Sequence, residues 1–168
     1  MELIQKKGTH VVPLSFTQME AIETIRTLTE PLLEGTDMFI VNIIIKPINN
    51  IKVFLDADSG LSIEKCTKVN RKLYNAIEEG ELYPNGDFSL EVSSPGVDEP
   101  LIDMRQYKKN VGRTVLITPI EGADVLGVMK EVDEERILLE TKVGKKKEIA
   151  MVEMPLENIK KIVVQIIF

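Results

Sequence analysis

Phe88-Ser89-Leu90-Glu91-Val92-Ser93-Ser94-Pro95-Gly96-Val97-Asp98-Glu99-Pro100-Leu101 is the stretch on which the organisation of this chain turns. Its first residues alternate as a strand does, with Phe88, Leu90 and Val92 on one face and Ser89, Glu91 and Ser93 on the other. The strand runs directly into a proline-bracketed loop. Pro95 fixes its own φ and holds Ser94 extended, and Glu99-Pro100 repeats the restriction. Gly96 reads as the residue that lets the backbone turn between them. A loop so constrained loses little entropy on ordering, so it can present hydroxyls and backbone N–H groups in one geometry, as a docking surface requires. A stiff connector between domains would use the same residue types. Ser93, Ser94, Pro95, Gly96, Asp98 and Pro100 form the first candidate site set.

Upstream, residues 1–15 show no clear period and read as an N-terminal extension. Thr17 and Glu20 have the spacing of a capping box, and Phe16 and Ala21 that of a hydrophobic staple. Ile22, Ile25, Leu28 or Thr29, Leu32 and Leu33 follow helical spacing. Pro31 predicts a kink or early fraying, and Gly35 a stop. Residues 38–46 form a nearly continuous apolar strand. Pro47-Ile48-Asn49-Asn50 is turn chemistry, and residues 51–57 return as the second strand of a hairpin. A second helix spans residues 62–79, closed by Gly80. Residues 16–97 therefore read α-β-β-α-β, an α+β sandwich of two layers.

Downstream of Pro100 the period changes. Residues 103–110 suggest a short helix. Strands are expected at 114–118, 125–132, 137–141, 148–152 and 159–166, with a tight or 3₁₀ turn at Leu156-Glu157-Asn158. Five short strands in so few residues predict a small SH3-like or Sm-like β-barrel over residues 98–168.

Bulk properties narrow the classes. The 168 residues suffice for one ordinary domain or two small ones, and 43% hydrophobic with 29% charged residues is ordinary for a globular protein. No apolar run approaches the roughly 18 residues of a membrane span. Met1–Gly8 lacks the features of a signal peptide, so a cytoplasmic protein with no membrane partner is expected. Cys66 is the one cysteine and His10 the one histidine. They make neither a disulfide nor a conventional zinc site, and no metal or other cofactor is expected. The net charge of −6 argues against a generally basic nucleic-acid binder. A local basic patch can still meet RNA, and an acidic surface suits a basic protein partner. Aromatic residues are only 5% and tryptophan is absent, so no extended base-stacking platform is apparent.

The run Leu90 to Gly96, with Val97, Asp98, Pro100 and Leu101, resembles the signature of the RimP family of bacterial ribosome maturation factors. The likeness extends over residues 17–168, taking in Asp37 to Val53, Phe54-Leu55-Asp56, Ser62 to Cys66, Tyr107 to Gly112 and Leu126-Gly127-Val128 in family order. The family usually has arginine where this chain has Glu99, and an acid there cannot contact a phosphate. The resemblance implies an α/β domain followed by an SH3-like or Sm-like barrel. It implies a non-enzymatic factor in ribosome biogenesis that binds the immature small (30S) subunit and promotes its assembly; separately from the resemblance, a monomer is expected. The implied partners are rRNA and a basic ribosomal protein near the decoding region, the latter associated with the barrel.

The residues themselves offer three chemistries. On the second helix Ile63, Cys66, Val69, Leu73, Ala76 and Ile77 fall on one side, and Lys65, Lys68, Arg71 and Lys72 cluster away from them. Four cations on one face can grip phosphates, although a solvated face has the same composition. With no glutamate interleaved among them, little i,i+4 pairing is expected. Cys66, spaced as a staple to Leu61, reads as core packing. Lys145-Lys146-Lys147 follows Gly144 at a hairpin tip, where it can reach a phosphate backbone or guard a sheet edge. Of Lys160 and Lys161, at most one is expected to face the same way as that tip. Asp56, Asp58 and Glu91 are the residues on which a metal-dependent phosphodiesterase would be built, but no nucleophile, histidine or Gly-rich phosphate loop accompanies them. A generic Sm-like RNA binder or adaptor is the third alternative.

Overall fold

A computed structural model of the chain describes residues 4–7, 10–13 and 16–166. They form two compact units, residues 1–95 and 96–168. The first opens with strands β1 (Ile4–Lys7) and β2 (His10–Pro13), an antiparallel pair within the segment expected to be an extension without periodicity. Two four-residue strands are too short to display a period in sequence. Helix α1 (Phe16–Leu33), strands β3 (Met38–Lys46) and β4 (Asn50–Ala57), helix α2 (Ile63–Glu79) and strand β5 (Ser89–Ser93) follow.

Helix α1 departs from its expected ends. It begins at Phe16, so Thr17 lies inside the first turn and not at the cap; the Phe16 side chain, and with it the staple, lies outside the described residues. Pro31 is tolerated near the end, and the helix runs on to Leu33 before Gly35 takes φ +76°. The core position left open between Leu28 and Thr29 goes to Thr29, which is fully buried. Its hydroxyl donates to the Ile25 carbonyl oxygen at 2.6 Å, which makes a polar side chain acceptable in the core.

The sheet of this unit has the order β3-β4-β5. β3 and β4 pair antiparallel through the 47–49 turn, with a bulge at Val41, while β4 and β5 run parallel. A parallel pair requires a crossover, and α2 provides it. Ser62 Oγ accepts from the Lys65 N–H at 3.2 Å and caps the helix. Val69, Leu73 and Ile77 are buried against Ile51, Val53 and Leu55 of β4, Val92 of β5 and Ile25 of α1. Gly80 is the C-cap with φ −77°, and the left-handed residue is Glu81 (φ +53°). Phe88 stacks on Tyr83 and Tyr74 at centroid distances of 5.4 and 4.7 Å, tying the segment before β5 to the helix.

The second unit starts with a hydrogen bond from the Leu101 N–H to the Ile162 carbonyl oxygen at 2.8 Å. Helix α3 (Met104–Lys109) carries a full capping box between Asp103 and Gln106. The buried Gln106 Oε1 accepts from the Ile102 and Asp103 N–H groups at 2.8 and 3.0 Å, and Asn110 Nδ2 donates to the Gln106 carbonyl oxygen. Strands β6 (Thr114–Pro119), β7 (Val125–Val132), β8 (Arg136–Val143), β9 (Glu148–Pro155) and β10 (Ile159–Val164) form one antiparallel sheet in the order β10-β6-β7-β8-β9. Val115, Ile117, Met129, Ile137, Leu139 and Ile162 are its fully buried core. The expected small SH3-like or Sm-like barrel is not closed: among the described residues the ladder is open, with β9 and β10 as its edges. Alternation in each strand predicts an inner and an outer face, whereas closure depends on pairing between the two ends of the sheet, which no local pattern encodes. A bulge between Ile159 and Lys161 leaves both Lys160 and Lys161 exposed.

Gly127 is a close-approach glycine. A Cβ there would lie 2.5 Å from the Glu140 carbonyl oxygen and 2.8 Å from Leu139 Cγ, so the β7–β8 backbones would have to part. Gly127→Ala is expected to destabilise the second unit by about 1–3 kcal/mol, read as a lower midpoint in denaturant unfolding with an unchanged slope. A midpoint equal to that of the parent protein refutes this packing.

Candidate nucleic-acid interface

The cationic face of α2 is real but thinner than its sequence suggests. Lys68 Nζ lies 3.0 Å from Glu64 Oε1, an i,i+4 pair that corrects the expectation of unpaired cations; the glutamate precedes the cluster instead of interrupting it. Lys65 turns back to the 58–60 loop, where its Nζ donates to the Gly60 carbonyl oxygen at 3.4 Å and lies 4.0 Å from Asp37 Oδ1. Arg71 and Lys72 are exposed and have no ion-pair partner among the described residues. Exposed ion pairs contribute only ~0–1 kcal/mol, so Lys68 can exchange Glu64 for a phosphate at little cost.

Asp37 organises the loop ahead of the helix. Its Oδ2 accepts the Ser59 N–H at 2.7 Å, and the Asp58 N–H donates to the Asp37 carbonyl oxygen. Hydrogen bonds from the Ser59 hydroxyl and N–H, helped by Lys65, hold its carboxyl below the ordinary value of 3.8 against a small desolvation effect. Burial pushes the Cys66 thiol up, in keeping with its packing against the apolar core. Ile63, placed with the apolar side by helical spacing, is instead 87% exposed at the first position of α2.

Arg71 meets the signature run. A groove of about 530 Å³ opens between the first half of α2 and the end of β5, lined by Leu61, Ile63, Cys66, Thr67, Asn70 and Arg71 on one side and by Val92, Ser93 and Ser94 on the other. Arg71, Ser93 and Ser94, chosen from separate motifs, thus share one site. Asn70, which sequence patterning did not single out, lies there too, and its Nδ2 donates to the Leu90 carbonyl oxygen at 3.5 Å. An asparagine between apolar helix positions has no signal in sequence without knowledge of the strand beside it.

From Gly96 onward the signature run belongs to the second unit. Gly96, Val97, Asp98 and Glu99 form a turn closed by the Glu99 N–H donating to the Gly96 carbonyl oxygen at 3.0 Å. Gly96 takes part in this turn without a positive φ, and a Cβ there would meet Asp98 Oδ1, on an exposed side chain, at 3.1 Å. Pro95 and Pro100 are half-buried on either side of the exposed turn. Lys145, Lys146 and Lys147 are all exposed at the β8–β9 tip, where Gly144 and Lys147 have positive φ.

The phosphodiesterase alternative finds no assembled centre. Among the described residues no group of three or more His, Cys, Asp or Glu side chains could hold a metal ion. Glu91 Oε2 instead lies 3.4 Å from Lys52 Nζ, and Asp56 Oδ1 accepts the Ala57 N–H.

Residues 28–98, from the middle of α1 through the signature turn, match the model of the RimP N-terminal domain. The chain is 38% identical over 119 residues to the ribosome maturation factor RimP of Cytophaga hutchinsonii, covering 68% of this chain and 71% of that one. This chain belongs to the RimP family. The ribosome maturation factor RimP of Flavobacterium psychrophilum is 36% identical over 72% of this chain and 79% of its own length. That of Christiangramia forsetii is 40% identical over 56% of this chain and 60% of its own. The RimP N-terminal match contains the whole α2–β5 groove. No helix among the described residues is long and apolar enough to cross a membrane.

The lowered Asp37 carboxyl makes a pH prediction. A carboxylate stabilised in the folded state contributes fully above its unfolded value, and the contribution is lost as pH falls through the lower folded value. Stability of the first unit is therefore expected to fall as pH drops below about 3.8, and Asp37→Asn to flatten that limb in a denaturation series from pH 6 to 2.5. Parallel pH profiles for the two proteins contradict the assignment.

Proposed function

We propose that this protein is a non-enzymatic ribosome maturation factor of the cytoplasm that binds the immature small (30S) subunit and promotes its assembly through binding energy alone. Its family membership carries this reading, because the relatives are named for ribosome maturation. The first domain contributes an RNA contact on α2, with Arg71 and Lys72 as the primary phosphate ligands and Lys68 and Lys65 recruited from weak local pairs. Ser93 and Ser94 stand beside Arg71 and add hydroxyl donors to the same contact. The turn from Gly96 to Pro100 docks against the subunit. Glu99 there repels phosphate, so we assign that turn to a protein surface.

The second domain supplies the contact with a basic ribosomal protein near the decoding region. Its open sheet leaves β9 as an edge strand, with Ile149 and Met151 exposed beside Glu148 and Glu153. The exposed Lys145–Lys147 tip is a second phosphate contact. The protein acts as a monomer, and no cofactor takes part.

Replacing Arg71 and Lys72 together by glutamate is expected to weaken association with immature small subunits and to reduce the slope of log affinity against log salt by about 2 if each neutralises one phosphate. Sedimentation of subunits with the two proteins at several salt concentrations reads both quantities. Equal affinity and equal slope remove α2 from the interface, and a parent protein that stays at the top of the gradient at every salt concentration removes the maturation-factor reading itself.

A further inference from the structure

The α2–β5 groove has more than phosphate chemistry, and none of the residues lining it is a carboxylate. β5 is the edge of its sheet. The Ser89 N–H donates to the Asn49 carbonyl oxygen on the β4 side. Alternation along the strand then turns the N–H and C=O of Leu90 and Val92 towards the open edge. Asn70 Nδ2 caps the Leu90 carbonyl oxygen, which agrees with that direction. By that alternation the largely buried Val92 turns one backbone donor and one acceptor to this side, and the groove lining adds an amide at Asn70, hydroxyls at Ser93 and Ser94, an apolar side chain at Ile63 and a guanidinium at Arg71.

We infer that this groove is a site for a single unpaired nucleobase of RNA, whose edge hydrogen-bonds the Val92 backbone and Asn70, whose face lies on Ile63, and whose phosphate sits on Arg71. The inference rests on the RNA contact proposed for α2 and deepens it from phosphate binding to recognition of unpaired nucleotides. Unstacked bases offer hydrogen-bonding edges that a duplex hides, and an apolar side chain can cover a base face. The volume, about 530 Å³, is within the range of small-ligand clefts. Its one cation at the rim matches one phosphate. An 87% exposed isoleucine at the mouth gains burial when a base covers it.

The test uses the full-length protein, isotopically labelled, titrated at low salt with three probes. They are single-stranded pentauridylate, single-stranded pentaadenylate and a fully paired RNA duplex with blunt ends. One or both single strands are expected to shift the Val92 amide and the Asn70 side-chain amide, and the duplex to leave both in place. Ile63→Ser keeps the charge and alters an exposed side chain, so the fold is retained; it is expected to weaken single-strand binding roughly tenfold without changing duplex affinity. Arg71→Gln is expected to weaken both.

If RNA binds but the Val92 and Asn70 amides do not move, or if Ile63→Ser weakens strand and duplex alike, the base site is wrong and the phosphate face of α2 stands. If no RNA binds at low salt, the base site and the α2 contact fall together. A capped heptapeptide of alternating valine and threonine serves as control. If it shifts the Val92 amide where RNA does not, the edge of β5 receives a peptide strand and the nucleobase assignment is overturned.

Discussion

The parallel pairing of β4 with β5 is the constraint on which the first unit depends. Two adjacent parallel strands cannot be joined by a tight turn, so the chain between Ala57 and Ser89 must leave the sheet, cross it and return. Val69, Leu73 and Ile77 pin that crossing to the sheet by burying one stripe of α2 on β4 and β5. Once the stripe is fixed, 3.6 residues per turn decide where every other α2 side chain goes. Lys68, Arg71 and Lys72 are left in solvent, and Asn70 and Arg71 lean over the end of β5. The groove follows from core packing and from the place of β5 at the sheet edge.

The two ends of the crossing are held by polar chemistry. Asp37 gathers the 58–60 loop with Ser59 and Lys65, and Ser62 caps the helix that follows. At the other end Asn49 accepts the Ser89 N–H on its carbonyl oxygen and donates from Nδ2 to the Asp87 carbonyl oxygen, while Tyr74, Tyr83 and Phe88 close the return. These contacts set the level at which β5 enters the sheet, and so the level at which Ser93 and Ser94 emerge beside Arg71. The Arg71 guanidinium and two hydroxyls distant in sequence come together because both ends of the crossover are anchored.

The second unit solves a different problem. Among the described residues its core of six buried side chains is small, and the sheet stays open at β9 and β10. The buried amides of Gln106 and Asn110 are satisfied by backbone groups around α3, so the start of the unit is held by hydrogen bonds as well as by apolar contact. An edge strand with exposed Ile149 and Met151 is an unusual surface to leave in water. Under the proposed function that edge is the one that meets a protein of the small subunit.

Much of this was legible in the chain itself. Alternation and helical spacing locate strands, helices and the core residues Ile25, Val69, Leu73 and Val92, because burial of one face imposes a period that survives in one dimension. The Ser93–Pro100 loop was legible because prolines restrict the backbone and a glycine frees it wherever they stand. The β1–β2 pair was not, since four residues hold too little period, whereas the Glu64–Lys68 pair has an i,i+4 spacing that the sequence does carry. The openness of the second sheet, the free edge of β5 and the approach of Asn70 and Arg71 to it were decided by tertiary structure alone. Each depends on which distant segments pair or pack, and such contacts leave no mark on the residues immediately around them.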